Sequence, residues 1–217
     1  MPKYFKFSDK EWIFDEKSSG ENVKNWHDGN GVLMRLQCIG PDKELSDLLS
    51  DENAMREYFR ANLAAQGVGV VECDSVIISG YPSARAIGKI VASGESAQYI
   101  ASLSMPLMDR SFVLSLYSRE DGMTGLRDAI VFDKYLSESG DDVLNDDGIP
   151  SGWACDPYFP EYKGPSLRNN ADSEEYDSQF PEHPLSKVRS KMNQVCKSIN
   201  IVDVEEVTPR PWWKFWG

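Results

Sequence analysis

Basic charge, histidine, paired cysteines and long apolar runs are all scarce in this chain, and each scarcity removes a class of function. Lys and Arg number 23 against 35 Asp and Glu, a formal net charge of −12. A surface of that sign repels phosphate, so nucleic acid is excluded as a partner. A basic protein partner is compatible with it, and so is plain solubility. No stretch approaches the ~20 consecutive apolar residues that cross a bilayer. The opening MPKYFKFSDKEWIF interrupts its apolar residues with charges, so neither a transmembrane segment nor a secretory signal is expected. Cys38, Cys73, Cys155 and Cys196 are scattered without a C-x-x-C pair. They read as reduced thiols rather than a disulfide framework or a zinc site, which points to the cytoplasm.

Catalytic and ligand-binding signatures are equally thin. The two histidines, His27 and His183, lie far apart and each has a local explanation: His27 in a polar loop, His183 as the cap before Pro184. A histidine-centred metal site needs both, together with carboxylates brought in by the fold. The acidic DDVLNDDGIP (141–150) fails the calcium-loop template, since aligning Gly148 with the loop glycine puts Val143 at the first ligand position and Ala154 where the bidentate Glu belongs. It reads as a solvated acidic loop, with weak cation binding at 141–148 left open. GVGVV (67–71) lacks the Gly-Lys-Ser/Thr ending of a phosphate loop and precedes a strand. Ser118, Thr124 and Cys155 have no histidine assigned to them, and Glu120 and Asp121 beside a glycine read as a solvated connection. No catalytic residue, cofactor or metal is expected.

What the chain does have is an ordered series of periodic segments. KEWIF (10–14) and GVLMRLQCI (31–39) read as strands, with the polar, turn-rich SSGENVKNWHDGNG between them as a loop. Leu45, Leu48 and Leu49, then Met55, Tyr58, Phe59 and Leu63, recur at helical spacing up to Gly67, with Asp51 or Asn53 as the second cap. Four strands follow at 68–80, 83–93, 97–107 and 111–118, and their short links imply an antiparallel sheet. Residues 122–136 suit a helix capped by Thr124, with Leu126, Ala129, Ile130 and Leu136 inward, although Ala129–Phe132 would also suit a strand. Segment 137–184 has little periodicity but carries Trp153, Tyr158, Phe159, Tyr162, Tyr176 and Phe180. A disordered linker lacks such aromatics, so the segment reads as a wrap over the core. Leu185, Val188, Met192, Val195 and Ile199 then mark one apolar helix face, opposite Lys187, Arg189, Lys191 and Lys197. The acids of 172–184 are placed to dock on those bases.

The run YPSARAIGKIVASGESAQYIASLSMPLMDRSFVLSLYSREDGMTGLRDAIVFDKYL (81–136) carries a family likeness. A strand of small residues is followed by a strand ending in Tyr-x-x-Ser-Leu-x-Met-Pro, another strand, and Thr-Gly-x-Arg opening a helix. This order, with the helix at 53–66 before it, resembles the PsbP-like superfamily over residues 10–138. That superfamily comprises α/β/α sandwiches and includes DcrB-type bacterial proteins. The resemblance implies a non-catalytic binding protein, assembly factor, chaperone or adaptor, and it carries no catalytic residues over.

The expected architecture is therefore α+β: an antiparallel sheet of about five or six strands with helices packed on it, at 1–138. A loop-rich extension, 139–217, ends in a helix packed on the same domain. The expected function is a cytoplasmic, non-enzymatic protein-binding module (adaptor, chaperone or immunity-like protein). Its contacts would come from Trp153, Tyr158, Phe159, Tyr162, Tyr176, Phe180, Trp212, Trp213 and Trp216, because aromatics supply rigid contact area and acids steer a basic partner. One alternative is a hydrolase assembled from Cys155, Asp156 and His183. Another is a structural homo-oligomer joined through a sheet edge or the tail.

The tail TPRPWWKFWG (208–217) has Pro209 and Pro211 against helix and only Arg210 and Lys214 to attract anionic lipid, so burial on the protein's own surface is the expectation. Truncation after Val207 should then lower the melting temperature at every protein concentration. Unchanged stability with loss of partner retention would make the tail a docking peptide. Unchanged stability with loss of liposome binding would make it a membrane contact.

Overall fold

Short links between alternating segments leave no length for a crossover, so consecutive strands in the middle of the chain pair as antiparallel neighbours. The computed structural model describes residues 5–91, 96–121, 125–139 and 151–202. Its main sheet holds seven strands in the order β2-β3-β4-β8-β7-β6-β5, all antiparallel. They are β2 (Ile13–Phe14), β3 (Val23–His27), β4 (Val32–Ile39), β5 (Gly69–Ile78), β6 (Tyr81–Ile90), β7 (Gln98–Pro106) and β8 (Ser111–Arg119). A separate ribbon pairs β1 (Phe5–Lys6) with β9 (Asn200–Ile201). Among the described residues four helices, α1 (Lys43–Leu48), α2 (Glu52–Ala64), α3 (Leu126–Ser139) and α4 (Pro184–Ser198), pack around the sheet, with 3-10 turns at Asn170–Asp172 and Glu174–Tyr176. The α+β class holds, and the sheet is larger than the five or six strands expected.

The period of two decides what each face buries. One face presents Met34, Leu36, Leu103, Met105, Leu114 and Leu116, all buried under α4. From α4 come Leu185, Val188, Met192, Val195 and Ile199, the apolar stripe read from the sequence. On the other face α1 and α2 lay Leu45, Met55 and Phe59 over Val70, Cys73, Ala84 and Ala86 of β5 and β6. Asp51 caps α2, its carboxylate accepting from the Asn53 and Ala54 N–H groups. A bulge between Val70 and Glu72 resets the alternation, so that Glu72 lies opposite Ile87 and turns toward α4.

Three expectations need correction. The segment read as a loop between the first two strands contains β3, which pairs with both β2 and β4. Its strand character comes from Trp26, buried against the rings of Phe7 and Phe14, while Lys24 and Asn25 mask the pattern in the sequence. Helix α3 is rotated from the expected phase: Leu126 and Ile130 are about half exposed, and Arg127 and Val131 point inward. The cause is a buried arginine, which a hydrophobicity pattern assigns to solvent. Arg189, placed on the solvent face of α4, is buried for the same reason. The acidic loop 141–148, Thr124, and the tail with Trp212, Trp213 and Trp216 lie outside the described residues.

Because α4 fills the sheet face directly, losing its central side chain should weaken the whole fold. Met192→Ala is expected to cost about 2–5 kcal/mol. Urea unfolding followed by far-ultraviolet circular dichroism and by tryptophan fluorescence should show one shared midpoint, shifted down. Two separated midpoints would make the C-terminal third an independent unit.

Candidate functional site

The wrap 151–183 reaches the sheet by crossing β5 closely. At Gly69 an added Cβ would lie 1.9 Å from the Ser166 carbonyl oxygen, so only glycine admits the loop there. Ser166 Oγ accepts from the Val91 N–H and donates to the Gly67 carbonyl, tying the loop across the edge of the sheet. The wrap aromatics pack inward. Trp153 sits edge-on to Phe132 of α3, with ring centroids 5.0 Å apart. The Tyr158 hydroxyl accepts from the Cys73 N–H at 2.7 Å, and Arg56 lies over its ring. Arg60 covers both Phe159 and Tyr162. Tyr176 is buried beside Val131, and Phe180 packs on the same cluster. Trp153 and Tyr176 are thus structural, and their rings are not available as surface.

Where wrap, α3 and α4 meet the sheet, a polar network is buried. Arg127 donates to the carbonyls of Ala171 and Ser173, to Ser186 Oγ, and to Asp177 Oδ1 at 2.9 Å. Arg189 donates to the same Asp177 oxygen at 2.9 Å, to Glu72 at 2.7 Å and to the Asp172 carbonyl. Asp172 accepts from Lys89 Nζ at 3.0 Å and from the Tyr99 hydroxyl at 2.8 Å. Burial and then the Asp172 charge push the Tyr99 phenol far above its ordinary range, so it stays a donor. The acids of 172–184 do meet the bases of α4: Glu182 pairs with Lys187 at 3.0 Å, while Lys191 turns instead to Glu11.

Beside this network opens a cleft of about 680 Å³, lined by Asn30, Glu120, Phe180, Glu182, His183 and Lys187. Glu120 follows β8, and His183 caps α4, its Nδ1 accepting from the Leu185 N–H at 3.3 Å. Their side chains are both more than nine-tenths buried, with Nε2 of His183 3.4 Å from Glu120 Oε1. Burial alone would raise the Glu120 carboxyl, but the His183 ring and the Gly125 N–H hold it below its ordinary value. Asp128, in the first turn of α3, completes a group whose ligand atoms lie within 4.8 Å of one another. The sequence reading kept His183 and Glu120 apart and expected Glu120 in solvent. No local signal joins residues 120, 128 and 183.

The hydrolase constellation does not assemble in one place. Cys155 is exposed and lines a different cavity from His183. Asp156 instead accepts from the N–H groups of Tyr158 and Phe159, closing its own turn. Burial raises the Cys73 thiol to about 12, which keeps it from acting as a nucleophile at neutral pH.

A second feature is the sheet face opposite α4 on β2, β3, β4 and β8. The helices on that side reach β5, β6 and one end of β7. Register places Ile13, His27, Leu33, Tyr117 and Ile100 in one row across five strands of this face. Val23, Gln37 and Val113 form a parallel row, and Ile39 sits beyond it. Between the rows lie Asn25, Arg35 and Ser115, with Arg35 Nε donating to Asn25. Ile13 and Leu33 are 56% and 58% exposed.

No protein-family model and no curated protein matches the sequence. Among solved structures the chain is similar to the Mog1 E65A mutant, at 10% identity and a TM-score of 0.46, over 89% of this chain and 88% of that one. It is also similar to a Bacteroides thetaiotaomicron VPI-5482 protein, at 13% identity and a TM-score of 0.35, over 57% of this chain and 44% of that one. LpqN, involved in cell envelope biogenesis of Mycobacterium tuberculosis, is similar at 14% identity and a TM-score of 0.27, over 62% of this chain and 74% of that one. The chain thus spans less than half the length of the Bacteroides protein. Likenesses this distant carry no functional argument. No helix among the described residues is long and apolar enough to cross a membrane.

The network makes a direct prediction. Arg127→Ala strands the Asp177 carboxylate and several carbonyls in the interior, and a broken buried pair costs about 3–5 kcal/mol. Chemical denaturation should show that loss. A change below about 1 kcal/mol would mean that water replaces the guanidinium freely.

Proposed function

We propose that this chain is a non-enzymatic protein-binding module, and that its partner docks on the open sheet face of β2, β3, β4 and β8. The observation that carries this reading is the apolar composition of that face. An antiparallel sheet facing water normally alternates apolar inward and polar outward. Here the outward positions include Ile13, Val23, Leu33, Ile39, Val113 and Tyr117, in two mainly apolar rows interrupted by His27 and Gln37 and separated by a polar one. Contiguous apolar surface of this kind marks an interaction site. The partner is a protein that presents an apolar patch within a basic surround, since the net charge of −12 steers such a surface inward. The PsbP-like resemblance, with its adaptors and chaperones, is proposed as kinship on the same terms, as is a cytoplasmic setting.

The chain's own C-terminal residues are the main rival occupant. Ile201 donates its N–H to Ser79 Oγ and packs into the cluster beneath α4, so β9 ends on the opposite face of the sheet. That placement favours an external partner on the open face.

A photo-crosslinking residue at position 33 separates the occupants. In native extract it should capture a polypeptide of different sequence, and Tyr117→Asp should abolish the capture while leaving the melting temperature within a degree or two. An intramolecular link to 203–217, or a link to a second copy of this chain, would overturn the reading.

A further inference from the structure

We infer that Glu120, Asp128 and His183 form a binding site for one divalent transition-metal ion of the zinc and cobalt type. Each side chain comes from a different place in the fold: the residue after β8, the first turn of α3 and the cap of α4. Each offers one ligand atom, and the three atoms lie within 4.8 Å of one another. Atoms bound to a common ion at about 2.0–2.2 Å lie roughly 3.0–3.5 Å apart, so small side-chain rotations close the site.

Two independent observations point to a cation. The first is an orphaned polar atom: His183 Nε2 is buried with no hydrogen-bond partner, and its side chain is only 7% exposed. It faces Glu120 Oε1 at 3.4 Å without aligning as a hydrogen bond. A buried ring nitrogen left unsatisfied is costly, and coordination satisfies it. The second is the local charge. Lys89 Nζ is the cation paired with this group: it donates to Asp172 at 3.0 Å and stands 3.8 Å from Asp128, while Arg127 and Lys187 of the adjoining cleft pair with Asp177 and Glu182. One ammonium is thus shared between the carboxylates of Asp128 and Asp172, and among the described residues Glu120 pairs with His183 and not with a lysine or arginine. A divalent ion neutralises the surplus.

The donor set selects the ion. One imidazole and two carboxylates suit zinc, cobalt or manganese, whereas calcium and magnesium favour all-oxygen sites with more ligands. The ligands are themselves held: Asn169 Nδ2 donates to Asp128, and the Gly125 N–H donates to Glu120 at 3.1 Å. Glu120 lines both the cleft of about 680 Å³ and a neighbouring one of about 350 Å³, which supply the entry path. Coordination through Nε2 moves the ring proton to Nδ1, which gives up the long 3.3 Å bond from the Leu185 N–H. Three protein ligands leave coordination positions open toward the clefts.

The test is titration of the chelator-treated full chain with Co²⁺ and Zn²⁺, followed by calorimetry and by the visible d–d bands of cobalt. One equivalent per chain is expected, with ligand-field bands and a higher melting temperature. Glu120→Gln, Asp128→Asn and His183→Asn should each weaken binding at least about tenfold. The last keeps a side chain that caps helices well, so it separates loss of metal from loss of fold. His27→Asn and Cys155→Ser should bind as the parent does. Absence of stoichiometric binding would overturn the proposal. So would binding that survives all three ligand substitutions, which would assign the metal to surface groups elsewhere.

Discussion

One oxygen atom, Oδ1 of Asp177, accepts from Arg127, Arg189 and Ser186 at 2.9, 2.9 and 3.0 Å. Two guanidinium groups buried under helices are tolerable only if carboxylates and carbonyls meet their donors. Those acceptors come largely from the wrap, so residues 171–177 are an obligatory part of the interior rather than an appendage to it. Each element supplies one part of the network. Helix α3 brings Arg127, α4 brings Arg189 and Ser186, the β5 bulge brings Glu72, and the wrap supplies the oxygens between them. Desolvation offsets much of the attraction in a buried pairing of this kind, so its net contribution to stability is smaller than the cost of breaking it.

The same docking explains why His183 and Glu120 meet. Residue 183 is placed by the turn that follows Asp177 and by Pro184 opening α4, and the T-shaped contact with Tyr99 at 5.3 Å holds the ring against the sheet. A cluster built this way depends on three chain segments far apart in sequence. It is set by the network that fastens the wrap, with Lys89 and Asp172 as the shared boundary between the two.

The sheet is meanwhile asymmetric in its cover. Helix α4 fills one face across β4, β8 and β7, while α1 and α2 fill the other only over β5, β6 and one end of β7. Helices of 6 and 13 residues cannot span a sheet of seven strands. The face left over keeps apolar side chains at the outward positions of β4 and β8, where the pleat would allow polar ones at no cost to the core.

Legibility followed how local each signal is. The stripe from Leu185 to Ile199 and the strands from β5 to β8 depend on spacing within one element and were readable from the residues alone, while the cap of α2 was narrowed to Asp51 or Asn53. Strand β3 was hidden because its pairing partners, β2 and β4, justify a polar sequence that has little strand character by itself. The phase of α3 and the burial of Arg189 were hidden because a charged residue turns inward only when oxygens from elsewhere in the chain await it. The chain's acidity, its α+β class and the apolar faces of α2 and α4 were determined by residue type and period. The bulge at Glu72, the meeting of Glu120 with His183 and the uncovered half of the sheet were decided only by tertiary structure, since each depends on partners that sequence distance conceals.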